Sequence, residues 1–503
     1  MAETESYRAP PRPLLTRNPL LWLRFFGPGA VIASLTVGSG ELLFPSRVGA
    51  IFEYRLLWIF PLVALLKWVM AYCSARHMIL SGAHPLERWM EIPGPRGWLP
   101  LFFFLIYVIC APFWQFFMSG LLGSICVSIF PWGDWYFWAT VWALVSFVLL
   151  YVGTYTFLER AQMLILGLVM ICIFIAVVYV QPDWFKVFQG FFVQQLPDYP
   201  DWVHQKYASF RDRSEWLELV VAASVIGGAA GDYLCYASFL REKQWGRSDM
   251  GIANKDEMRE IASDHRHPAR LWVRAALIDT VLSMLMIVLI AACFTILGAV
   301  ILQPQQLVPA KDGELLLHQG QFLTTLSPLL LPLYQLAVFL AFFGNVYGGP
   351  EVTARVAHEF VHTLPRRWEW LTQKRIRWLA IYWVLFGGLA IVWLKRGFPD
   401  TRMVDVMTFP AIYTGILMCG FYCLVNPWID RHFLPARLRM NRVLAVLNVA
   451  AGVIFFVFGI KAIWDESRWH LVILPGSVLA AMLLASLLHP KNRMNIEHRT
   501  SND

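Results

Sequence analysis

The segment 31–48, VIASLTVGSGELLFPSRV, decides the fold, because Gly38-Ser39-Gly40-Glu41 interrupts an apolar run within it. A second apolar run, 217–240, is interrupted in the same way at Ala229-Ala230-Gly231-Asp232. A carboxylate at mid-bilayer depth costs roughly 2.5 to 3.5 kcal/mol, so such residues usually serve a substrate path. Glycine lets a helix unwind, and unwound backbone is tolerated in a bilayer only where protein covers it or a cavity adjoins it. The two motifs therefore predict two broken helices around a binding site.

The composition is that of an integral membrane protein. Of 503 residues, 58% are hydrophobic and only 15% are charged, whereas soluble proteins carry about 25% charged residues. Apolar stretches long enough to cross a bilayer recur along the whole chain. We predict an all-α fold with about twelve transmembrane helices, near 26–50, 56–81, 99–128, 136–153, 161–181, 217–240, 271–301, 328–348, 377–394, 404–425, 442–464 and 470–488.

The order of the spans predicts an internal repeat within a single polytopic membrane domain, residues 1–503. The first repeat covers about 20–181 and the second about 210–425, while helices 11 and 12, at about 442–488, are peripheral. Each broken span is followed by four uninterrupted ones. Because five is an odd number, the second unit starts on the opposite side of the membrane, which makes the repeat inverted.

The positive charge indicates membrane orientation rather than nucleic-acid binding. The net charge is +8, and eight of the 42 Lys and Arg residues lie in the connection 241–274. This bias predicts a multi-pass protein of the plasma membrane with cytoplasmic N- and C-termini. Residues 1–20 lack the apolar core of a signal peptide. The eight cysteines all lie in apolar runs and predict no disulfide or zinc framework.

Among the charged residues within the apolar runs, Glu41 and Asp232 allow two interpretations. Glu41 and Asp232 could line a cation or proton site, or could simply cap exposed helix ends. Lys67 lies mid-span, so it needs an acid partner, and we name Glu41 and Asp232 as candidates. Paired in this way, Lys67 would gate or neutralise the empty site. Arg47 is expected near a helix end, in contact with solvent.

Later segments offer further polar candidates. Asn345 could form a wall of the site or an interhelical hydrogen bond, and Pro350 should bend or end its helix. Span three lacks an acid, and Gln115 is its only strongly polar side chain. The motif His358-Glu359-Phe360-Val361-His362 matches the H-E-x-x-H pattern of zinc proteases. A solvated helical face is the alternative reading, since no third zinc ligand is evident.

The stretch Gly27-Pro28-Gly29, with Gly38-Ser39-Gly40-Glu41 and Tyr54-Arg55-Leu56-Leu57-Trp58 after it, resembles the first span of the Nramp (natural resistance-associated macrophage protein) metal transporters. Counted from the last of these stretches, the family's D-P-G-N falls on Gly38-Ser39-Gly40-Glu41. Its M-P-H falls on Ala230-Gly231-Asp232, and Thr408 lies where the family has a tenth-span amide. The chain is similar to a divergent branch, with GSGE in place of DPGN.

The resemblance implies a leucine-transporter-like 5+5 inverted repeat with discontinuous helices 1 and 6, and secondary transport by alternating access. The departures from the family pattern bear on the substrate. The family's ligand Asp becomes Gly38, its Met becomes Ala230 and its Asn becomes Glu41. Losing a thioether and gaining a carboxylate favours harder cations.

We therefore expect a secondary-active transporter of a cation, most simply a divalent metal ion, that works in the lipid bilayer. The expected metal ligands are Glu41 and Asp232, and the other substrate-binding residues are Gly38, Ser39, Gly40, Ala229, Ala230, Gly231, Asn345 and Thr408. Transport of an organic cation or zwitterion is the alternative, followed by a zinc metalloprotease using His358-Glu359-His362 and by a non-transporting sensor. No enzyme activity, resident cofactor or nucleic-acid partner is expected, and the sequence leaves the oligomeric state open.

Overall fold

A computed structural model describes residues 8–16, 18, 22, 40–152, 155–211, 213–309, 312, 316–363, 370–466 and 470–488. These parts of the chain contain helices and no strand. The predicted all-α class is therefore confirmed. The first two residues of the Gly38-Ser39-Gly40-Glu41 motif lie outside the described residues.

The described membrane helices overlap the predicted spans, and of the first span only residues from 40 onward are described. Nine helices in the described residues are long and apolar enough to cross a bilayer, or ten if a bent pair after residue 167 is counted as one span. We label the segments span 1b (Leu43–Phe52), 2 (Ile59–Ser81), 3 (Trp98–Ile129), 4 (Trp135–Val152), 5 (Tyr155–Tyr179), 6a (Glu215–Val225), 6b (Ala230–Lys243), 7 (Pro268–Leu297), 8 (Leu331–Val361), 9 (Gln373–Lys395), 10 (Thr408–Ile412, a π turn Tyr413–Leu417, and Met418–Phe433), 11 (Arg442–Glu466) and 12 (His470–Leu488).

Span 8 differs from the prediction, because the helix continues through Pro350 to Val361. A proline inside a helix leaves the carbonyl four residues before it without its usual N–H donor. Here that carbonyl belongs to Val346, and Gln115 Nε2 of span 3 donates to it at 3.2 Å. The helix can continue because a neighbouring span supplies the missing hydrogen bond.

The same hydrogen-bonding arrangement occurs at Pro112, which lies inside span 3. The carbonyl that loses its donor there is that of Val108, and Trp383 Nε1 of span 9 donates to it at 2.8 Å. Spans 3, 8 and 9 are thus joined by two side-chain hydrogen bonds, each to a carbonyl that a proline leaves free.

Arg47 is buried, contrary to the expected contact with solvent. Its guanidinium forms an ion pair with Glu218 of span 6a, and the side chains of both residues are 0% exposed. Glu218 also accepts from Arg213 Nε at 2.9 Å, and Arg47 Nη1 donates to the Pro309 carbonyl at 2.6 Å. A buried charge pair needs such additional hydrogen bonds to offset its desolvation. This cluster joins span 1b to span 6a and to the connection after span 7.

The connection between spans 6b and 7 docks on the end of span 2. Its backbone N–H groups at Arg247 and Ala253 donate to the carbonyls of Ile79 and Ser81. A short helix, Lys255–Ser263, begins there at Asn254, whose N–H bonds to Glu257. That hydrogen bond and the nearby Arg247 guanidinium lower the pKa of Glu257.

We predict that Trp383→Phe lowers the free energy of unfolding by about 1 kcal/mol, because the carbonyl of Val108 loses its donor. In a Pro112→Ala background the helix supplies an N–H of its own, so the same substitution should cost clearly less. Reversible unfolding in mixed micelles measures both costs. Equal costs in the two backgrounds would show that the indole contributes packing area only.

Candidate functional site

The break in span 6 is formed by Gly227 and Gly228. Span 6a ends at Val225 and span 6b begins at Ala230. The φ angles of the two glycines are +73° and +81°, values that residues with a side chain rarely adopt. The sequence placed the break at Ala229-Ala230-Gly231-Asp232, of which only Ala229 lies in the non-helical stretch. Ala230 and Gly231 already belong to span 6b.

Both predicted carboxylates bind backbone N–H groups of this break. Glu41 Oε1 accepts from the Gly227 N–H at 3.0 Å, and Asp232 Oδ2 accepts from the Ala229 N–H at 2.7 Å. Asp232 thereby caps the N-terminus of span 6b, where the helix dipole favours negative charge. The structure therefore shows the helix-capping role that the sequence offered as one interpretation of Asp232. A carboxylate offers about four lone-pair sites, so the bond of Asp232 to the Ala229 N–H is compatible with further ligands.

Lys67 is fully buried and binds the other side of the same break. Its ammonium donates to the Ser224 carbonyl at 2.9 Å and to the Gly228 carbonyl at 2.6 Å. Among the described residues no carboxylate lies within 4.0 Å of Nζ, so the expected ion pair with Glu41 or Asp232 is not formed. The unwound backbone supplies the oxygens that we expected from an acid.

A cavity of about 110 Å³ adjoins the break and is enclosed by spans 3, 6, 8, 9 and 10. Asp232 and Asn345 both lie on its wall, together with Gly228 and Ala229. The volume is enough for several water molecules, or for one cation that keeps part of its hydration shell. Carboxylate, amide and backbone oxygens are the ligands that hard cations prefer.

Other predicted site residues lie elsewhere. Glu41, Ala230 and Thr408 are buried but do not line the cavity, and Gly38 and Ser39 fall outside the described residues. The Thr408 hydroxyl donates to the Val404 carbonyl at 3.3 Å, so its hydrogen bond is local in the chain.

Thr414 takes the place at the cavity that the sequence assigned to Thr408. It lies in the π turn of span 10, where its hydroxyl donates to the Pro410 carbonyl at 2.7 Å and accepts from Trp114 Nε1 at 3.1 Å. Gln115 also lines the cavity. Its being the only strongly polar side chain of span 3 was a signal for such a role, whereas the π turn that positions Thr414 leaves no pattern in the sequence.

The H-E-x-x-H motif lies on span 8 and does not form a zinc-protease site. His358 Nε2 and His362 Nε2 are 3.1 Å apart, but Glu359 accepts from Arg241 at 2.8 Å and from the Ser238 hydroxyl at 3.2 Å. A glutamate held in an ion pair is a poor general base. In the described parts of the chain no group of three His, Cys, Asp or Glu residues could hold a metal ion.

Ion pairs link span 6b to span 8 below the cavity. Arg241 pairs with Glu359, and Arg355 pairs with Glu242. Both pairs line a second, polar cavity of about 380 Å³. Span 8 residues 352 and 353 line the first cavity and residues 351, 354 and 355 line the second, so the two cavities are neighbours along that helix.

Comparison with known proteins gives matches over nearly the whole chain. The sequence model of the natural resistance-associated macrophage protein-like family matches residues 29–474. No curated protein matches. The structure of the Eremococcus coleocola manganese transporter with an aromatic bis-isothiourea substituted compound is similar, at 15% identity and a TM-score of 0.62 over 96% of each chain. The structure of a mutant of that transporter is also similar, at 15% sequence identity and a TM-score of 0.63 over 96% of each chain. This likeness confirms the predicted fold class.

Gly231 allows the ring of Tyr107 to approach the start of span 6b. A Cβ atom added there would lie 2.1 Å from Tyr107 Cε2. We predict that Gly231→Ala destabilises the protein by about 1–3 kcal/mol through overpacking. The double variant Gly231→Ala/Tyr107→Ala should be more stable than the sum of the two single effects predicts. Unfolding of the purified protein in detergent measures all three variants.

Gly167→Ala is the matched control, because nothing lies within 4 Å of a Cβ atom added at Gly167 of span 5. We expect this control to leave stability unchanged or slightly raised, as alanine favours the helix. Equal stability of Gly231→Ala and Gly167→Ala would contradict the close contact with Tyr107.

Proposed function

We propose, from the premise that this chain belongs to the natural resistance-associated macrophage protein-like family of membrane transporters, that it transports a hard divalent metal cation. The manganese transporter with a similar fold supports a metal ion as the substrate class. Transport of this kind makes the chain a carrier rather than an enzyme, with the cation as cargo and no resident cofactor.

The observation that carries the proposal is the position of Asp232 at the cavity beside the break. Asp232 would supply charge, and Glu41 a second charge from the facing span. The Gly228 carbonyl and the Asn345 amide would add neutral oxygens. With Ala230 where the family has methionine, no thioether is offered at this position, although Met118 of span 3 also lines the cavity. An all-oxygen set suits Mg²⁺, Ca²⁺ or Mn²⁺ better than softer metals.

Lys67 would act as a built-in cation in the empty site. Its ammonium occupies the Ser224 and Gly228 carbonyls and offsets one of the two negative charges. A divalent ion that reaches Asp232 competes for the same Gly228 carbonyl. Loading the site would therefore loosen the contact between span 2 and the break, which couples occupancy to helix movement.

Alternating access would follow from the broken spans and the ion pairs below the cavity. Spans 1 and 6 would move against a scaffold that includes spans 3, 8 and 9. For the cavity to open inward, Arg241–Glu359 and Arg355–Glu242 must separate, because they join span 6b to span 8. The repeats at about 20–181 and 210–425, the plasma-membrane location and the cytoplasmic termini remain parts of this proposal.

A cavity of about 110 Å³ disfavours the organic-cation alternative, since pockets for organic ligands usually measure about 300–1,000 Å³. The ion pair of Glu359 likewise leaves the zinc-protease alternative without support. A non-transporting sensor would bind the cation without uptake, and the first experiment below separates these two cases.

We predict that Asp232→Asn and Glu41→Gln each lower divalent-cation uptake into proteoliposomes at least tenfold, because a neutral amide cannot offset the charge of the ion. Asp256→Asn and Glu91→Gln, which alter exposed charges outside the cavity, are matched controls that should retain wild-type uptake. Unchanged uptake in both site variants would refute the proposed ligands. Metal-dependent thermal stabilisation without any uptake in the wild type would indicate a sensor.

We predict that Glu359→Gln speeds labelling of a Thr353→Cys reporter by a membrane-impermeant thiol reagent added from the inner side. The lost ion pair favours separation of span 6b from span 8. The charge swap Arg241→Glu/Glu359→Arg should restore slow labelling. Arg377→Gln is the control, because its partner Glu351 joins spans 8 and 9 within the scaffold. Equal acceleration by Arg377→Gln would rule out a specific gate.

A further inference from the structure

A groove of about 750 Å³ lies between the end of span 10 and the start of span 11. One end of the groove is basic and contains Arg431, Arg439 and Arg442. The other end is an apolar wall formed by Ala445, Val446 and Val449 of span 11. The groove therefore changes from cationic to apolar along the helix axis, as a lipid does from headgroup to acyl chain.

The basic end has an excess of positive charge. Among the described residues, none of its three arginines has a carboxylate within 4.0 Å. The one acid in the groove, Asp430, is already engaged: it accepts from Arg76 Nη1 at 2.7 Å and from the Met440 N–H. His432 also lines the groove, and its Nδ1 lies 2.8 Å from the Trp428 carbonyl. The arginine charges are thus available to an anion.

The loop between spans 10 and 11, which carries Arg439, is fixed to the helices around it, whereas Arg431 and Arg442 lie on those helices. Arg76 of span 2 donates to the Leu438 carbonyl in addition to its ion pair with Asp430. Arg439 Nε donates to the Leu434 carbonyl at 2.9 Å. An anion that binds here would meet an Arg439 guanidinium that is already positioned, which lowers the entropic cost of binding.

The apolar wall is exposed along the outward face of span 11. Val446 and Val449 are 65% and 46% exposed, and the intervening turn places them on one side of the helix. Apolar area of this kind needs a hydrocarbon neighbour in the bilayer. Basic pockets between helices on the cytoplasmic side recurrently hold anionic headgroups.

We propose that this groove binds one anionic phospholipid of the leaflet at the inner side, with its phosphate at Arg431, Arg439 and Arg442 and an acyl chain along Val446 and Val449. The site lies outside the central cavity and does not depend on which cation the protein moves. Its occupant would tie span 10, which supplies Thr414 to the cavity, to the peripheral span 11.

The experiment uses the delipidated full-length protein in detergent. Phosphatidylglycerol, phosphatidylcholine with the same acyl chains, and inorganic phosphate are titrated separately, and binding is followed by native mass spectrometry and thermal unfolding. We expect tight binding and stabilisation by phosphatidylglycerol only. Each of Arg431→Gln, Arg439→Gln and Arg442→Gln should weaken its binding about 5-fold, since one basic residue near an anionic surface contributes about 1 kcal/mol.

Arg437→Gln is the matched control, because Arg437 is exposed in the same loop but does not line the groove. It should bind phosphatidylglycerol like the wild type. A fifth variant, Ala445→Trp, fills the apolar end of the groove. It should weaken the binding of phosphatidylglycerol while leaving the three arginines unchanged. Equal binding of the two lipids, binding of phosphate alone, or equal effects of Arg437→Gln and the groove variants would each overturn the proposal.

Discussion

The two hydrogen bonds from Lys67 to the Ser224 and Gly228 carbonyls are the contact on which the centre of this molecule depends. An unwound segment inside a bilayer has no water to satisfy its backbone groups, and each unsatisfied group costs several kcal/mol. Here Lys67 satisfies two carbonyls, and Glu41 and Asp232 satisfy two N–H groups. The Tyr233 hydroxyl donates to a third carbonyl, that of Gly227. The break exists because side chains from spans 1, 2 and 6 surround it.

The groups that stabilise the break are also the ones that a cation would use. Two carboxylates buried in a membrane protein without a counter-charge would be expensive. With Lys67 nearby, the formal charge of the empty site is one negative unit instead of two. In the proposed mechanism, a divalent ion at Asp232 would compete for the Gly228 carbonyl that the ammonium holds, so the empty and loaded states would be two arrangements of the same hydrogen-bond partners. Such competition is how a binding event can shift a two-state element.

The spans could be predicted from the sequence because hydropathy over about 20 residues is a strong local signal. The centre of the site could be predicted only in part. Residues 227–231 are all glycine or alanine, so composition could not show that the left-handed φ angles fall on Gly227 and Gly228. The partners of Lys67 and Arg47 depend on which spans pack together, and no spacing rule gives that contact. Thr414, and not Thr408, lines the cavity, and it lies in a π turn of span 10 that no sequence pattern indicates.

The two kinds of contact around span 8 differ in how easily they separate. Toward spans 3 and 9, proline-freed carbonyls at Val346 and Val108 bind Gln115 and Trp383, and breaking either bond would leave a carbonyl unsatisfied in the membrane. Toward span 6b, span 8 forms two ion pairs: Arg355 and Glu242 are 37% and 54% exposed, whereas Arg241 and Glu359 are 36% and 10% exposed. Exposed ion pairs contribute about 0–1 kcal/mol to stability, and water can replace each partner. Span 8 is therefore bound on its scaffold side by hydrogen bonds to otherwise unsatisfied carbonyls. On the side of span 6b it is bound by one exposed ion pair and by Arg241–Glu359, whose largely buried acid makes that pair the costlier one to separate.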